Sequence, residues 1–159
     1  GGREIPGGPN RGQQLILEPG PHAIRSAVYG HIPVRQTKAG TCILGGVREN
    51  AGFDKRVTAD AVHFIAREAA QMMPCLGPRA VIRAFSGLRP VPADGLPILG
   101  PAPGVEGFFL AALHFGLTLA PLVGDLLAQC VLGKPTSVDV GPYSLARFAP
   151  AGKIPAPTM

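Results

Sequence analysis

One segment of the chain carries apolar residues at the spacing of a single helical face. Thr58 is a favourable N-cap, Asp60 lies in the first turn where it suits the helix dipole, and Pro74 blocks continuation. This pattern predicts a helix over residues 58–73. The apolar positions that share its face are Val62, Ile65, Ala66, Ala69, Met72 and Met73.

A second segment, residues 118–132, is apolar around nearly its whole circumference. Asp125 and Gln129 alone interrupt it, on one narrow stripe. Pro121 suits a first helical turn, and Gly133 supplies a stop. A helix that is apolar all round is buried all round. Two interpretations stay open: the cover is a partner chain or a missing half of this one, or the helix is central and wrapped by the chain's own sheet.

The remaining apolar runs predict strands separated by Gly- and Pro-rich turns. Arg11–Glu18 has a continuous apolar end, and a hairpin is formed by His31–Thr37 and Thr41–Val47, where Gly40 suits a positive φ. The shorter candidates are Arg79–Ser86, Pro97–Gly100 and Gly107–His114. We therefore predict an α+β fold, with a mixed, largely antiparallel sheet of five to seven strands and two main helices, followed by an extended tail over residues 134–159.

Composition changes this picture only in part. Gly and Pro number 22 and 18 of 159 residues, but 46% of the residues are hydrophobic, which a disordered chain would lack. The net charge of +5 is scattered without a basic run, so no nucleic-acid partner is expected. Residues 107–124 carry no charge, but His114, Gly116, Thr118 and Pro121 interrupt them, and we expect no membrane span.

The cysteines and the missing motifs narrow the chemistry. Cys42, Cys75 and Cys130 form no metal or dithiol motif and favour a reducing compartment, so a cytoplasmic location is expected. No metal site is predicted, because the four histidines lack ligand spacing. The chain also lacks the glycine fingerprints of dinucleotide and phosphate loops. The chain begins with Gly-Gly rather than Met, which is either a remnant of expression or an internal start, and this is a first hint that the chain is a piece of a larger protein.

Two segments suggest a binding site. Arg89 ends an apolar strand, where a guanidinium can bind a carboxylate through two hydrogen bonds, or can pair with Asp94 across the following turn. From the spacing alone the pairing with Asp94 is the favoured interpretation. Residues 113–121 predict a strand that runs into a helix through Gly116, which is either an ordinary joint or a helix terminus that presents free amides to an electron-rich ligand.

Taken together, these segments resemble the C-terminal part of the D-amino-acid oxidase-like family of FAD-dependent oxidoreductases, which includes glycine oxidase, sarcosine oxidase and amino-acid or opine dehydrogenase subunits. The resemblance covers about residues 9–148, in matching order and spacing. The stretches that carry it are Pro9–Glu18, Ile32–Gly46, Gly52–Thr58, Ala84–Gly100 and Phe108–Gly124.

The resemblance implies a role for several residues. Arg89 falls where relatives place the arginine that binds the substrate carboxylate. His31 falls near a position where some relatives carry an aromatic residue that faces the substrate. The backbone of His114, Phe115, Gly116, Leu117 and Thr118 falls where relatives face the flavin pyrimidine ring. Some relatives carry a second arginine in a longer loop after Phe115, which this sequence lacks.

The resemblance also implies an organisation and a reaction. Residues 9–114 would form a sheet like the family's substrate domain, and residues 115–133 a helix that packs on the FAD-binding half absent here. We expect a fragment or subunit of a flavoprotein that oxidises a C–N bond of a small amino acid or secondary amine by hydride transfer to FAD. The chain alone is expected to be inactive and not to retain FAD. It would pair with the missing half, a partner subunit or itself; the alternative is a non-catalytic binding or assembly subunit.

Overall fold

The computed structural model describes residues 5–148, and they divide into two compact units. The sheet unit comprises Pro9–Arg89, and the C-terminal unit comprises residues 90–148 together with residues 5–8. The α+β fold class predicted from the sequence is confirmed, but the strands form two sheets rather than one. Residues 149–159 of the predicted extended tail lie outside the described residues.

The larger sheet has five strands in the order β2-β3-β4-β1-β5. The strands are β1 (Gly7–Pro19), β2 (Val28–Tyr29), β3 (Pro33–Gln36), β4 (Thr41–Leu44) and β5 (Val81–Pro92). The predicted hairpin is β3 and β4, joined by a turn in which Gly40 has φ +86°. Such an angle favours glycine because a β-carbon would crowd the backbone.

Alternation along the strands gives the sheet two different faces. Leu15 pairs with Leu44, which pairs in turn with Val34, and all three are buried. Their neighbours Ile16, Ile43 and Arg35 are likewise aligned across the strands, on the opposite face, and none of them is fully buried. Because side chains alternate with a period of two, Gln14 and Gly12 share this second face with Ile16.

Helix α1 (Ala59–Met72) covers the buried face of the sheet. The Thr58 side chain accepts a hydrogen bond from the amide of Ala61, as the predicted N-cap requires. Ile65 and Ala69 pack into the same cluster as Leu15 and Leu44. The helix is therefore held by one apolar face, as its period of hydrophobic residues predicted.

The C-terminal unit contains a two-stranded antiparallel sheet, β6 (Ile98–Pro101) and β7 (Phe109–Ala112), and helix α2 (Gly116–Val131). Short 3-10 helices follow at Gly141–Tyr143 and Leu145–Arg147. One side of α2 contributes Val123 and Leu126 to a small core with Leu99 and Leu113.

Helix α2 begins two residues before the predicted start, and this corrects the interpretation of Pro121. The proline is the sixth helical residue rather than part of the first turn. Its ring nitrogen cannot donate to the carbonyl of Leu117, four residues earlier. The helix nevertheless continues through the proline to Val131.

Candidate functional site

Arg89 lies near the end of β5, and its side chain lies flat against β1. A β-carbon placed on Gly12 would be 2.1 Å from Nη1 and 2.2 Å from Nη2 of Arg89. One placed on Gly46 would be 3.7 Å from Nη2. The guanidinium therefore occupies the space above Gly12, whereas at Gly46 an added carbon would make only ordinary contact with it and would crowd the backbone oxygen of Gln13, at 2.8 Å. We call Gly12, Gly45 and Gly46 the glycine floor.

The guanidinium of Arg89 is half-buried without a carboxylate partner among residues 5–148. Its one hydrogen bond is a long one of 3.4 Å, from Nη1 to Oδ1 of Asn10. Burial, and then the charge of Arg48, lower the pKa of Arg89. A partly desolvated cation beside a second cation attracts an anion, and its fork geometry suits a carboxylate.

Asp94, the alternative partner weighed from the sequence, is bound elsewhere. Its carboxylate accepts from Nε of Arg147 at 2.7 Å and from Nη2 at 3.0 Å. This ion pair holds the pKa of Asp94 below its usual range. Arg147 also donates to the carbonyls of Tyr143 and Leu96, so it fastens the end of the described chain to the turn after β5. The pairing of Arg89 with Asp94 is therefore wrong.

The acidic residues nearest in the chain to Arg48 are already neutralised by another arginine. Arg11 is 6% exposed and donates from Nε and Nη2 to Glu49, at 2.9 Å and 3.1 Å. It also forms a 3.0 Å ion pair with Asp54, whose stronger hydrogen bonds come from Arg56. These contacts hold the pKa values of both carboxyl groups below their usual range. Neither carboxylate is left to compete for Arg89.

The Arg11 network also fixes the loop that joins the sheet to α1. Gln13 donates from Nε2 to Glu49 at 2.7 Å, and its Oε1 accepts from the amide of Thr58 at 2.9 Å. Thr58 is the N-cap of α1. Because Arg11 and Gln13 belong to β1, as Gly12 does, the same strand orders the loop through one face and supports Arg89 through the other.

The turn between β7 and α2 presents an uncapped helix terminus. Phe115 occupies the N-cap position without a side-chain hydrogen bond, and the first turn contains no acidic residue. The amides of Gly116, Leu117 and Thr118 are thus in the part of a helix that lacks internal acceptors. His114 packs edge-on against the Phe115 ring, with centroids 4.5 Å apart, which orders the turn. This terminus suits an electron-rich oxygen atom.

His31 lies in the turn between β2 and β3, at the edge of the sheet opposite β5. Its Nδ1 is 2.6 Å from Oε2 of Glu68 on α1, and Glu68 also accepts from Arg67 at 2.7 Å. The Glu68 side chain is 5% exposed, whereas that of His31 is 79% exposed. Strands β3, β4 and β1 therefore lie between the turn that carries His31 and β5, which carries Arg89. The role of His31 in substrate binding stays a prediction.

Much of helix α2 is exposed although its sequence is apolar. The exposed fractions are 94% for Leu117, 44% for Leu122, 59% for Val131 and 67% for Leu132. Whether a partner chain, a missing half or the chain's own sheet covers this helix stays a prediction. No helix among residues 5–148 is long and apolar enough to cross a membrane. In that same range no cluster of His, Cys, Asp or Glu is suited to a metal ion.

Comparison with known proteins identifies the family of this chain. Residues 2–130 match the family model of the FAD dependent oxidoreductases. Glycine oxidase from Pseudomonas putida is 33% identical over 96% of this chain and 41% of its own length. Hydrogen cyanide synthase subunit HcnC from Pseudomonas protegens is 34% identical over 98% of this chain and 39% of its own. The crystal structure of glycine oxidase from Geobacillus kaustophilus superposes with a TM-score of 0.83 and 31% identity, over 87% of this chain and 39% of that one.

The match over residues 2–130 defines the class of protein. The chain belongs to the D-amino-acid oxidase-like family of FAD-dependent oxidoreductases. It spans about two fifths of the length of the relatives just described.

Proposed function

We propose that this chain is the substrate-binding part of a flavoprotein that oxidises the C–N bond of a small amino acid or secondary amine. The observation that carries the proposal is the Arg89 guanidinium, half-buried on the glycine floor with no carboxylate partner among the described residues. In the proposed role it binds the substrate carboxylate through two charge-assisted hydrogen bonds. It thereby fixes the orientation of the carbon that bears the nitrogen.

The turn at residues 114–118 is the proposed contact with FAD. Its fit to a flavin is supported by the uncapped terminus of α2 and by the lack of an acidic residue in the first helical turn. Amides and the partial positive charge of a helix terminus stabilise negative charge on a ligand. FAD, when bound, accepts the two electrons removed from the C–N bond. The chain's own contribution is then orientation by Arg89 and charge stabilisation by this turn.

The exposed side of α2 is the proposed docking surface for the rest of the flavoprotein. Burying one Leu or Val side chain contributes about 1.5–3 kcal/mol. Leu117, Leu122, Val131 and Leu132 together therefore provide a driving force of the order of a domain's own stability. The proposed cover is the FAD-binding half of the family fold, on the same or another chain. A second copy of this chain is the competing cover.

The test is reduction of the flavin in the flavoprotein that contains this chain. Small amino acids are added without oxygen, and the visible absorbance of oxidised FAD is followed. We expect amino acids to bleach the flavin, and amines of the same size without a carboxylate to do so far more slowly. A flavoprotein that no amino acid or secondary amine reduces, or a preparation without flavin, would contradict the proposal and favour a non-catalytic binding or assembly subunit.

A further inference from the structure

Gln14 is a second polar side chain on the glycine floor. Its side-chain carboxamide has no hydrogen bond within the described part of the chain. It belongs to β1 and faces the same side of the sheet as Gly12. A β-carbon on Gly45 would lie 2.8 Å from its Nε2 and 3.4 Å from its Cδ. The amide group therefore lies against Gly45, much as the guanidinium lies over Gly12.

Gly46 shows that the two side chains are neighbours. A β-carbon at this position would be 3.6 Å from Cγ of Gln14 and 3.7 Å from Nη2 of Arg89. Both side chains thus reach Gly46, Gln14 with its Cγ and Arg89 with its Nη2, on a surface that carries no side chains of its own. The backbone at Gly12, Gly45 and Gly46 is free of positive φ angles, so turn geometry does not require glycine there. Glycine is needed at Gly12 and Gly45 for the space that the two side chains occupy.

The two groups differ in what they can bind. A guanidinium offers only donors, so Arg89 can bind a carboxylate but cannot accept a hydrogen bond. A carboxamide has an acceptor oxygen as well as two donors. Asn10, whose Oδ1 accepts from Arg89, is already engaged in that hydrogen bond. Among the side chains of residues 5–148 that lie on the glycine floor beside Arg89, Gln14 offers an acceptor with no hydrogen bond.

An amino acid presents a carboxylate and, one carbon away, N–H groups that need acceptors. We propose that Gln14 is a specificity-determining residue whose Oε1 accepts a hydrogen bond from the substrate amine while Arg89 holds the carboxylate. The inference rests on the proposed function, because it takes the carboxylate on Arg89 as its starting point. It adds that the sheet recognises the nitrogen as well as the acid group. Carboxylic acids without a nitrogen use only half of this site.

The test compares two ligands in the flavoprotein that contains this chain. Glycine or its N-methyl derivative serves as the amine-bearing ligand, and acetate as the ligand without nitrogen. Gln14→Leu keeps the size of the side chain but removes the acceptor. We expect it to weaken the amine-bearing ligand about tenfold, the range of a single hydrogen bond to a charged group. Acetate inhibition should change less than twofold.

Controls separate failure of this inference from failure of the proposed function. Gln71→Leu changes an exposed glutamine on α1 and should leave both ligands unaffected. Arg89→Leu should weaken both ligands; if it weakens neither, the proposed function fails at its carboxylate site. If Arg89→Leu behaves as expected but Gln14→Leu weakens both ligands equally, or neither, then Gln14 does not recognise the amine and the inference is overturned. The melting temperature of each variant identifies any loss through unfolding.

Discussion

Replacing Gly12 with alanine should move Arg89 without harming the fold. The added methyl group would lie 2.1–2.3 Å from three atoms of the guanidinium. Ordinary contact requires about 3.5 Å, so the guanidinium has to move by about 1 Å or more. The group that must move is the end of a flexible side chain, and the backbone at Gly12 has no positive φ. Alanine in a strand also loses less entropy on folding than glycine does.

The expected result is therefore a loss of activity with stability unchanged or slightly raised. A displacement of 1 Å at a positioning group can cost roughly a hundredfold in rate, so we expect kcat/KM for an amino-acid substrate to fall about 10- to 100-fold. The measurements are steady-state kinetics of the flavoprotein and thermal unfolding of the same variant. Gly8→Ala is the matched control, because it lies in the same strand with no atom within 4 Å of the added carbon. A Gly12→Ala variant that kept full activity, or that unfolded, would refute the reasoning.

Three further predictions concern other parts of the chain. Arg89→Lys keeps the charge but loses the planar fork of the guanidinium. KM for a carboxylate-bearing substrate should therefore rise about 10- to 100-fold, while KM for an uncharged amine should be nearly unaffected. Equal effects on both substrates would mean that Arg89 has a structural role. The hydrogen bond from His31, and then that from Arg67, hold the pKa of Glu68 below its usual range. That stabilisation is present above the usual glutamate range and is lost as the pH falls through the lowered pKa, so acid unfolding of Glu68→Gln should depend less on pH. The chain alone, incubated with FAD and then dialysed against FAD-free buffer, should be colourless, because it lacks the glycine-rich loop that holds the pyrophosphate. A stable yellow complex would contradict this.

The elements that the sequence predicted well depend on local chemistry. Helix α1 follows from one apolar stripe, the cap at Thr58 and the block at Pro74, all within a short segment. The hairpin of β3 and β4 follows from alternating strands around a turn that ends in Gly40. In both cases neighbouring residues carry the whole pattern, so no distant contact is needed to recognise it.

The start of α2 and the ion pairs could not be predicted in this way. Phe115 is not a capping residue, so nothing local marks the first turn of α2. Arg11 binds Glu49, 38 positions away, and His31 binds Glu68, 37 positions away. Glu68 is not among the apolar positions that share one face of α1, yet its side chain is buried where it meets His31. Only the folded chain brings such partners together.

The candidate site could be predicted from the sequence only in part. Arg89 was identified from its place at the end of an apolar strand and from the family resemblance. The glycines at positions 12, 45 and 46 were visible in the sequence, but not the side chains that lie on them. The contribution of Gln14 was missed for the same reason. Gln14 belongs to β1, whereas its neighbours Gly45 and Gly46 follow β4 in the chain.

The most direct test of the central claim is the response of the Arg89 side chain to a ligand. The 159-residue chain has a mass of 16.4 kDa, which suits nuclear magnetic resonance of the arginine Nε–H groups. Titration with glycine should shift the Arg89 resonance saturably. Arg147, which is already paired with Asp94, should not respond. A saturable shift at Arg147 or elsewhere without one at Arg89, or no saturable shift at all, would contradict the assignment of Arg89 as the carboxylate-binding residue.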